Sequence, residues 1–384
     1  MRSIYLDYNA TTPLAPVAQE AMIPYLSDRF ADPLSDHSQG RAVNEALEDA
    51  RTRVARAIGA GAEEVFWTSG ATEACNLALR GMIEPLARSG EKPHLIVSAV
   101  DHAAVQGPAR FLASIGAELT VVGCDKAGRV DPQEVLDALR PDTRLVSIVH
   151  ANDELGTLQP IQGIAAACRE EGVLFHTDAA QSFGKTPIDV EKLGVDLLSL
   201  SAHKAYGPKG VGALYVRNGV RLEPQLHGDG HEAGLRGGMP NVSGIVGFGA
   251  AAKVAAENLD ESANRSSLLR DRLEERLLSG AEEGVVYGPE EARTDDPIRL
   301  PNTLCIALPG ASASDLLSAV PELSAAPCAS RFGDSVSLSG SLRAIGADED
   351  EAVGALRLSV GWYTDPEEID RASDALLAAW EQHS

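Results

Sequence analysis

The chain has 384 residues, too many for one ordinary hydrophobic core, so two domains are expected. Its hydrophobic fraction of 44% is that of a globular protein, although aromatics make up only 4%. The formal net charge of -23 disfavours nucleic acid and anionic membranes as direct partners, because both require basic surface.

The chain opens Met1-Arg2-Ser3 and runs straight into Ile4-Tyr5-Leu6, which does not read as a signal peptide. No apolar run reaches the roughly 18 residues that span a bilayer. Short apolar runs at 64–67, 94–100, 118–122, 144–150, 173–176, 196–200 and 212–216 predict strands. Segments of helical period, such as 103–112, 132–139 and 164–171, lie between several of them. Asp131-Pro132-Gln133-Glu134 is a helix start, with Asp at the N-cap, Pro at N1 and Glu at N3. This alternation predicts an α/β fold with a mostly parallel sheet flanked by helices. From 243 to about 279 the pattern is one or two long charged helices. Beyond it, 303–307 and 355–360 predict strands, and Asp365-Pro366-Glu367-Glu368 starts a last helix running towards Gln382. The expected division is a large α/β domain over 14–257 and a smaller α+β domain from 1–13 and 258–384.

Ligands of open α/β sheets bind at the carboxyl ends of strands. The residues following those ends are polar and ionisable: Thr68-Ser69-Gly70-Ala71-Thr72-Glu73, Asp101-His102, Asn152-Asp153-Glu154, Asp178-Ala179-Ala180-Gln181 and Ser201-Ala202-His203-Lys204. The Thr68–Thr72 turn leads into a helix whose free N–H groups suit a phosphate; it is equally an ordinary strand-to-helix turn. Asp178 is either a helix cap or the partner of a protonated ring nitrogen. Arginine greatly outnumbers lysine, which draws attention to each lysine. Lys204, between a strand and a Gly-Pro turn, is either bonded to loop carbonyls or a desolvated Schiff-base lysine. Ser201 and His203 alternate with Ala202 and can reach one anion.

Ser201-x-His203-Lys204 followed by Gly207-Pro208-Lys209-Gly210 resembles the cofactor-lysine segment of NifS-like cysteine desulfurases of the class V aminotransferase group. Tyr5-Leu6-Asp7-Tyr8-Asn9-Ala10-Thr11-Thr12-Pro13, Asn152-Asp153-Glu154-Leu155-Gly156, Asp178-Ala179-Ala180-Gln181-Ser182 and Gly230-His231-Glu232-Ala233-Gly234-Leu235-Arg236 follow in the family's order, so the resemblance covers nearly the whole chain. It implies a type I fold of pyridoxal 5'-phosphate (PLP) enzymes with a seven-stranded sheet, a homodimer, and conversion of L-cysteine to L-alanine with transfer of sulfur to an acceptor protein. It also implies the roles of individual residues. Ala71 and Thr72 would bind the cofactor phosphate, with Ser201 and His203 adding side-chain bonds. His102 would stack on the ring, Asp178 pair with its nitrogen, and Gln181 contact its hydroxyl oxygen. Lys204 would hold the cofactor as a Schiff base and, once released, act as a base. Asn152 and Arg357 would hold the substrate carboxylate. A structural salt bridge is the alternative for Arg357 in so acidic a chain. No metal ligand set is expected.

Five cysteines at 75, 124, 168, 305 and 328, without a CxxC pair, read as free thiols in a reducing compartment, hence a cytoplasmic protein. Cys168 lies in a predicted helix and Cys305 in a predicted strand, as buried thiols do. Cys124 ends a strand, and Cys75 lies just past the phosphate turn. Cys328 stands in Ser324-Ala325-Ala326-Pro327-Cys328-Ala329-Ser330, a small-residue segment expected to be a loop. The resemblance places the family's mobile nucleophile there. Two departures stand out. Ala-Ala-Pro-Cys replaces the family's Gly-Ser-Ala-Cys, with a longer stretch to Leu342. Met239 replaces a threonine that in relatives reaches the neighbouring subunit's cofactor phosphate, and methionine cannot donate that bond.

A selenocysteine lyase or another class V lyase or aminotransferase shares this chemistry; a lyase releasing free sulfide or selenide would not depend on Cys328. A non-catalytic sulfur-transfer scaffold is the reading from another class, against which the presence of Lys204, Asp178 and His102 together argues. Iron–sulfur cluster assembly, tRNA thiolation, cofactor sulfuration and DNA phosphorothioation all draw on enzymes of the family that this chain resembles.

Overall fold

The computed structural model describes residues 3–290, 297–332 and 335–383. Its strands in chain order are β1 (Ile4–Tyr5), β2 (Val65–Thr68), β3 (His94–Ser98), β4 (Glu118–Val122), β5 (Thr143–Ser147), β6 (Leu174–Asp178), β7 (Leu197–Ser201), β8 (Gly212–Val216), β9 (Val285–Tyr287), β10 (Thr303–Ala307), β11 (Leu323–Ser324), β12 (Ala326–Pro327), β13 (Ala329–Phe332), β14 (Ser335–Leu338) and β15 (Ala355–Ser359).

Seven strands form the central sheet in the order β2-β8-β7-β6-β5-β3-β4. Contacts from β4 through β7 are parallel, and β8 runs antiparallel to both β7 and β2. Parallel neighbours require crossover helices on the sheet faces, so β3 is buried along its whole length; the helices on both faces bury β7 and β8 as well. One face packs Ile96, Val146, Phe175, Leu198 and Tyr215 against the helices Ser38–Ala57 and Val242–Glu257. The other packs Leu95, Leu145, Leu197 and Leu214 against Ala71–Arg88 and Ala103–Ser114.

A second sheet, β12-β15-β10-β9, is antiparallel and packs on the helices Leu259–Gly280 and Pro366–His383 through Leu273, Leu277, Leu304, Leu356 and Leu376. β1 pairs in parallel with β11, which ties the N-terminus to this second core. The predicted starts hold. Asp131 accepts from Gln133 N at 2.9 Å. Asp365 accepts from Glu368 N at 2.8 Å, while Glu368 accepts from Asp365 N at 3.2 Å, a reciprocal cap.

The segment around Cys328, expected as a loop, is strand. Ala326 and Pro327 pair with Arg357 and Leu356, and β13–β14 form a hairpin from Ala329↔Leu338 to Phe332↔Ser335. Pro327 is tolerated because β12 is the edge of its sheet, where a missing N–H is not needed by a neighbour.

Candidate active site

The carboxyl ends of β6 and β7, the N-terminus of Ala71–Arg88 and the loop after β5 enclose a cavity of about 500 Å³. It is lined by Ala71, Thr72, His102, Asp178, Gln181, Ser201, His203 and Lys204, so eight residues predicted from strand ends converge. The 18-residue helix begins at Ala71 with no side chain capping it, leaving its first N–H groups and positive dipole end facing the cavity. The turn before it fits only because β8 begins with Gly212: a Cβ there would lie 2.7 Å from Gly70 Cα. Glu73 and Arg236 brace the turn from outside. Glu73 accepts from Ser69 N at 2.9 Å and from Arg236 Nε at 3.0 Å. Burial would raise the Glu73 pKa, but these donors outweigh it and hold the carboxyl below its usual value.

At the cavity floor Asp178 is buried and accepts from Ala180 N at 3.0 Å. Burial pushes its pKa up, opposed by that backbone bond and by the nearby His102 and Lys204. A cationic ring nitrogen would reverse that cost, so the site fits a protonated heterocycle. His102 caps Ala103–Ser114 through Nδ1, which accepts from Ala104 N at 3.1 Å and so fixes the ring. Burial lowers the His203 pKa to about 4, and its Nδ1 lies 3.1 Å from Thr11 Oγ1.

Lys204 Nζ hydrogen-bonds to the carbonyl of Asn9. Burial lowers its pKa, so the amine is more easily deprotonated than an exposed lysine. The same carbonyl accepts from Gln181 Nε2 at 2.8 Å. The Gln181 oxygen in turn accepts from Lys185 Nζ at 2.6 Å, and Lys185 also reaches Asn9 Oδ1 at 3.2 Å. Sequence reasoning assigned no role to Lys185 or Asn9, although lysine was scarce enough to single each one out.

The two residues predicted to hold a carboxylate are engaged elsewhere in this conformation. Asn152 is buried, and its amide donates to Val100 O and Ser341 Oγ, both at 3.0 Å. Its oxygen accepts from Glu154 N and Leu155 N at 3.0 and 2.8 Å. Arg357 donates to Asp153 Oδ2 at 3.1 Å and Asp7 Oδ1 at 2.9 Å. Its Nε is buried and has no hydrogen-bond partner among the described residues, which leaves one donor of the fork unspent. Asp153 lines the cavity, so the guanidinium is one side chain removed from it.

Cys328 is 4% exposed rather than accessible. Its N–H donates to Ala355 O at 2.8 Å and its carbonyl accepts from Ser339 N at 2.9 Å. The contact with Cys305, 3.8 Å between sulfurs, and then burial push its thiol pKa well up. Cys75 is fully buried beside Asp178, and burial followed by that charge pushes its thiol well up as well. Cys168 in its helix is held at about 12 and Cys124 at about 11, in both cases chiefly by burial. Met239 is 59% exposed and lies outside the cavity. Among the described residues there is no cluster of His, Cys, Asp and Glu that could hold a metal ion, and no helix long and apolar enough to cross a membrane.

The family model described as Aminotransferase class-V matches residues 4–372. The cysteine desulfurase IscS of Dictyoglomus turgidum is 40% identical over 380 residues, covering 98% of this chain and 94% of that one. That of Anaeromyxobacter dehalogenans is 43% identical over 372 residues, covering 96% and 90%. Among solved structures, a NifS-like protein superposes with a TM-score of 0.90 at 35% identity, covering 98% of each chain. SspA in complex with cysteine superposes with a TM-score of 0.80 at 36% identity, covering 94% of this chain and all of that one.

Proposed function

The chain belongs to the class V aminotransferase family, and from that premise we infer a cysteine desulfurase that removes sulfur from L-cysteine, leaving L-alanine and a persulfide on Cys328. The observation that carries the residue assignment is the meeting of Lys204, Asp178 and an uncapped helix N-terminus in one cavity.

Ala71 and Thr72 would hold the phosphate of PLP through the helix N-terminus, with Ser201 and His203 adding side-chain bonds. His102 would stack on the ring, Asp178 would pair with its nitrogen and Gln181 would contact its hydroxyl oxygen. When bound, PLP supplies an electron sink that makes the substrate Cα hydrogen acidic. Asp178 stabilises positive charge on the ring and thereby that acidity. Lys204 anchors the group and then takes the Cα proton at Nζ; its lowered pKa suits it to that exchange. Arg357 turns from Asp7 and Asp153 towards the substrate carboxylate, with Asn152 bracing the loop beside it. The Cys328 sulfur attacks the sulfur of cysteine and must leave its buried position to do so.

The two cores support a large unit over 14–257 and a small unit from 1–13 and 258–384. A homodimer, a cytoplasmic setting consistent with five free thiols, and an acceptor protein for the sulfur complete the reading. The test is anaerobic incubation of the yellow holoenzyme with L-cysteine, following alanine and persulfide for wild type and Cys328→Ser. Loss of both in the variant, with the yellow band kept, supports the assignment. Retained alanine release removes Cys328 from it and favours a selenocysteine-lyase type of reaction.

A further inference from the structure

The sulfurs of Cys305 and Cys328 lie 3.8 Å apart, and both thiols are buried. Cys305 on β10 stands opposite Arg357 on β15, and Ala326 on β12 stands opposite Arg357 from the other side. Cys328 follows two residues later, anchored to Ala355 O. The two side chains therefore lean towards each other over β15, where Ala355 leaves room. Leu155, Tyr287, Leu338 and Leu342 close the site from water. Because β15 separates the two strands, their backbones are about 9–10 Å apart, two strand spacings. A disulfide accepts only about 4.4–6.8 Å between Cα atoms, so the pair is not placed to close directly. In an in-line exchange the moving sulfur lies between the other two, which then stand at least two sulfur–sulfur bonds apart, about 4.1 Å; the sulfurs at 3.8 Å need withdraw only slightly to admit it.

We propose that Cys305 is a second sulfur-carrying site, which receives the terminal sulfur from the Cys328 persulfide when Cys328 occupies the position seen here. The inference rests on the desulfurase reading above. In the exchange the bond between the Cys328 sulfur and the terminal sulfur breaks as the bond from that sulfur to Cys305 forms. The Cys305 thiol proton passes to the Cys328 sulfur along the contact that joins them. A persulfide and a thiol become a thiol and a persulfide, with no net oxidation and no co-reactant. Cys328 is thereby freed for another turnover, while the first sulfur is held where water and small thiols do not reach.

The test is a rapid-quench measurement on the anaerobic holoenzyme with a few equivalents of L-cysteine and no other reductant. Alanine is counted in the burst, and persulfide is located by alkylation and peptide mass. Wild type should release about two alanines per chain in the burst and carry sulfur on the Cys305 peptide. Cys305→Ser, and Cys305→Ala should serine disturb the core, should release about one, with sulfur on Cys328 alone. Cys328→Ser should leave Cys305 unmodified. The relay is overturned by equal bursts in wild type and both Cys305 variants, by a Cys305 peptide without added sulfur, or by sulfur reaching Cys305 in the Cys328 variant. A wild type that releases no alanine sinks the desulfurase reading itself, a distinct result.

Discussion

Lys185 Nζ stands 2.6 Å from Gln181 Oε1, and that contact fixes which way round the Gln181 amide sits. With its oxygen on the lysine, the amide nitrogen must face the Asn9 carbonyl and the cavity. On the proposed reading Gln181 would then donate to the ring hydroxyl oxygen and not accept from it.

Lys185→Met should release the amide to rotate. Loss of one oriented hydrogen bond corresponds to about 1 kcal/mol, or roughly a fivefold fall in kcat/KM. The pH titration of the holoenzyme's visible band should shift as well, because the donor to the ring oxygen is no longer held. Unchanged titration would reduce Lys185 to a packing residue.

Burial holds the Lys185 pKa well below its ordinary value, and Lys204 adds to that. The unfolded chain therefore takes up a proton that the native state refuses. Wild-type stability should rise as pH climbs from the depressed native value towards about 10.5. Lys185→Met should lose that slope, which denaturant midpoints taken between neutral pH and pH 10 would record.

Arg357 gives its two terminal nitrogens to Asp153 and Asp7, and on the proposed reading a two-pronged grip on the substrate carboxylate displaces at least one of them. Arg357→Ala should cost about 2–5 kcal/mol in kcat/KM, as for a buried charge pair stripped of one member. Arg357→Lys should recover only part of this, because a point charge does not reproduce a bidentate grip. Asp153→Asn should act in the opposite sense on binding, lowering KM for L-cysteine. A higher KM would show that Asp153 positions Arg357 instead of competing for it.

The convergence of the cavity's lining was legible in the sequence because most residues there end or follow their own strand within a few positions. Asp178 ends β6, and Lys204 follows β7 by three residues. What was not legible depends on distant pairing. Arg357 meets Asp7 across 350 positions and Asp153 across 204, and no local pattern encodes either meeting. The Cys328 segment misled for a related reason. Its small residues and proline are loop-like in isolation, and only the neighbouring edge of β15 turns them into strand.

Asp101 links the ends of β3 and β5. It accepts from Ser98 N and Val149 N, each at 2.6 Å, and from Ser98 Oγ at 2.9 Å, while burial pushes its pKa up to about 7. Asp101→Asn puts an amide N–H against one of two backbone N–H donors. The expected loss is about 1–3 kcal/mol of stability, measured by urea unfolding of the apoprotein. His102, the next residue, should then cover the cavity less firmly.

On the proposed reading Cys328 reaches substrate only if the strands around it open, and Ser339 is placed to tie them shut. Its N–H donates to Cys328 O at 2.9 Å. Its hydroxyl donates to Glu154 Oε2 and accepts from Leu342 N at 3.2 Å, capping the helix Gly340–Ala344. Burial, with Asp153 close by, raises the Glu154 pKa, and this hydroxyl bond opposes that rise. Ser339→Ala removes both side-chain bonds and keeps the backbone one. Loss of a cap and of one bond to a charged group amounts to about 2 kcal/mol, and all of it falls on the closed state. Alkylation of Cys328 by iodoacetamide, read from its own peptide so that the partly exposed Cys124 does not interfere, should therefore speed up by roughly tenfold or more. Cys75 and Cys168, buried in the large sheet's cores, should not change. An unaltered Cys328 rate would place the hinge elsewhere, at β12 and its pairing with Arg357 and Leu356.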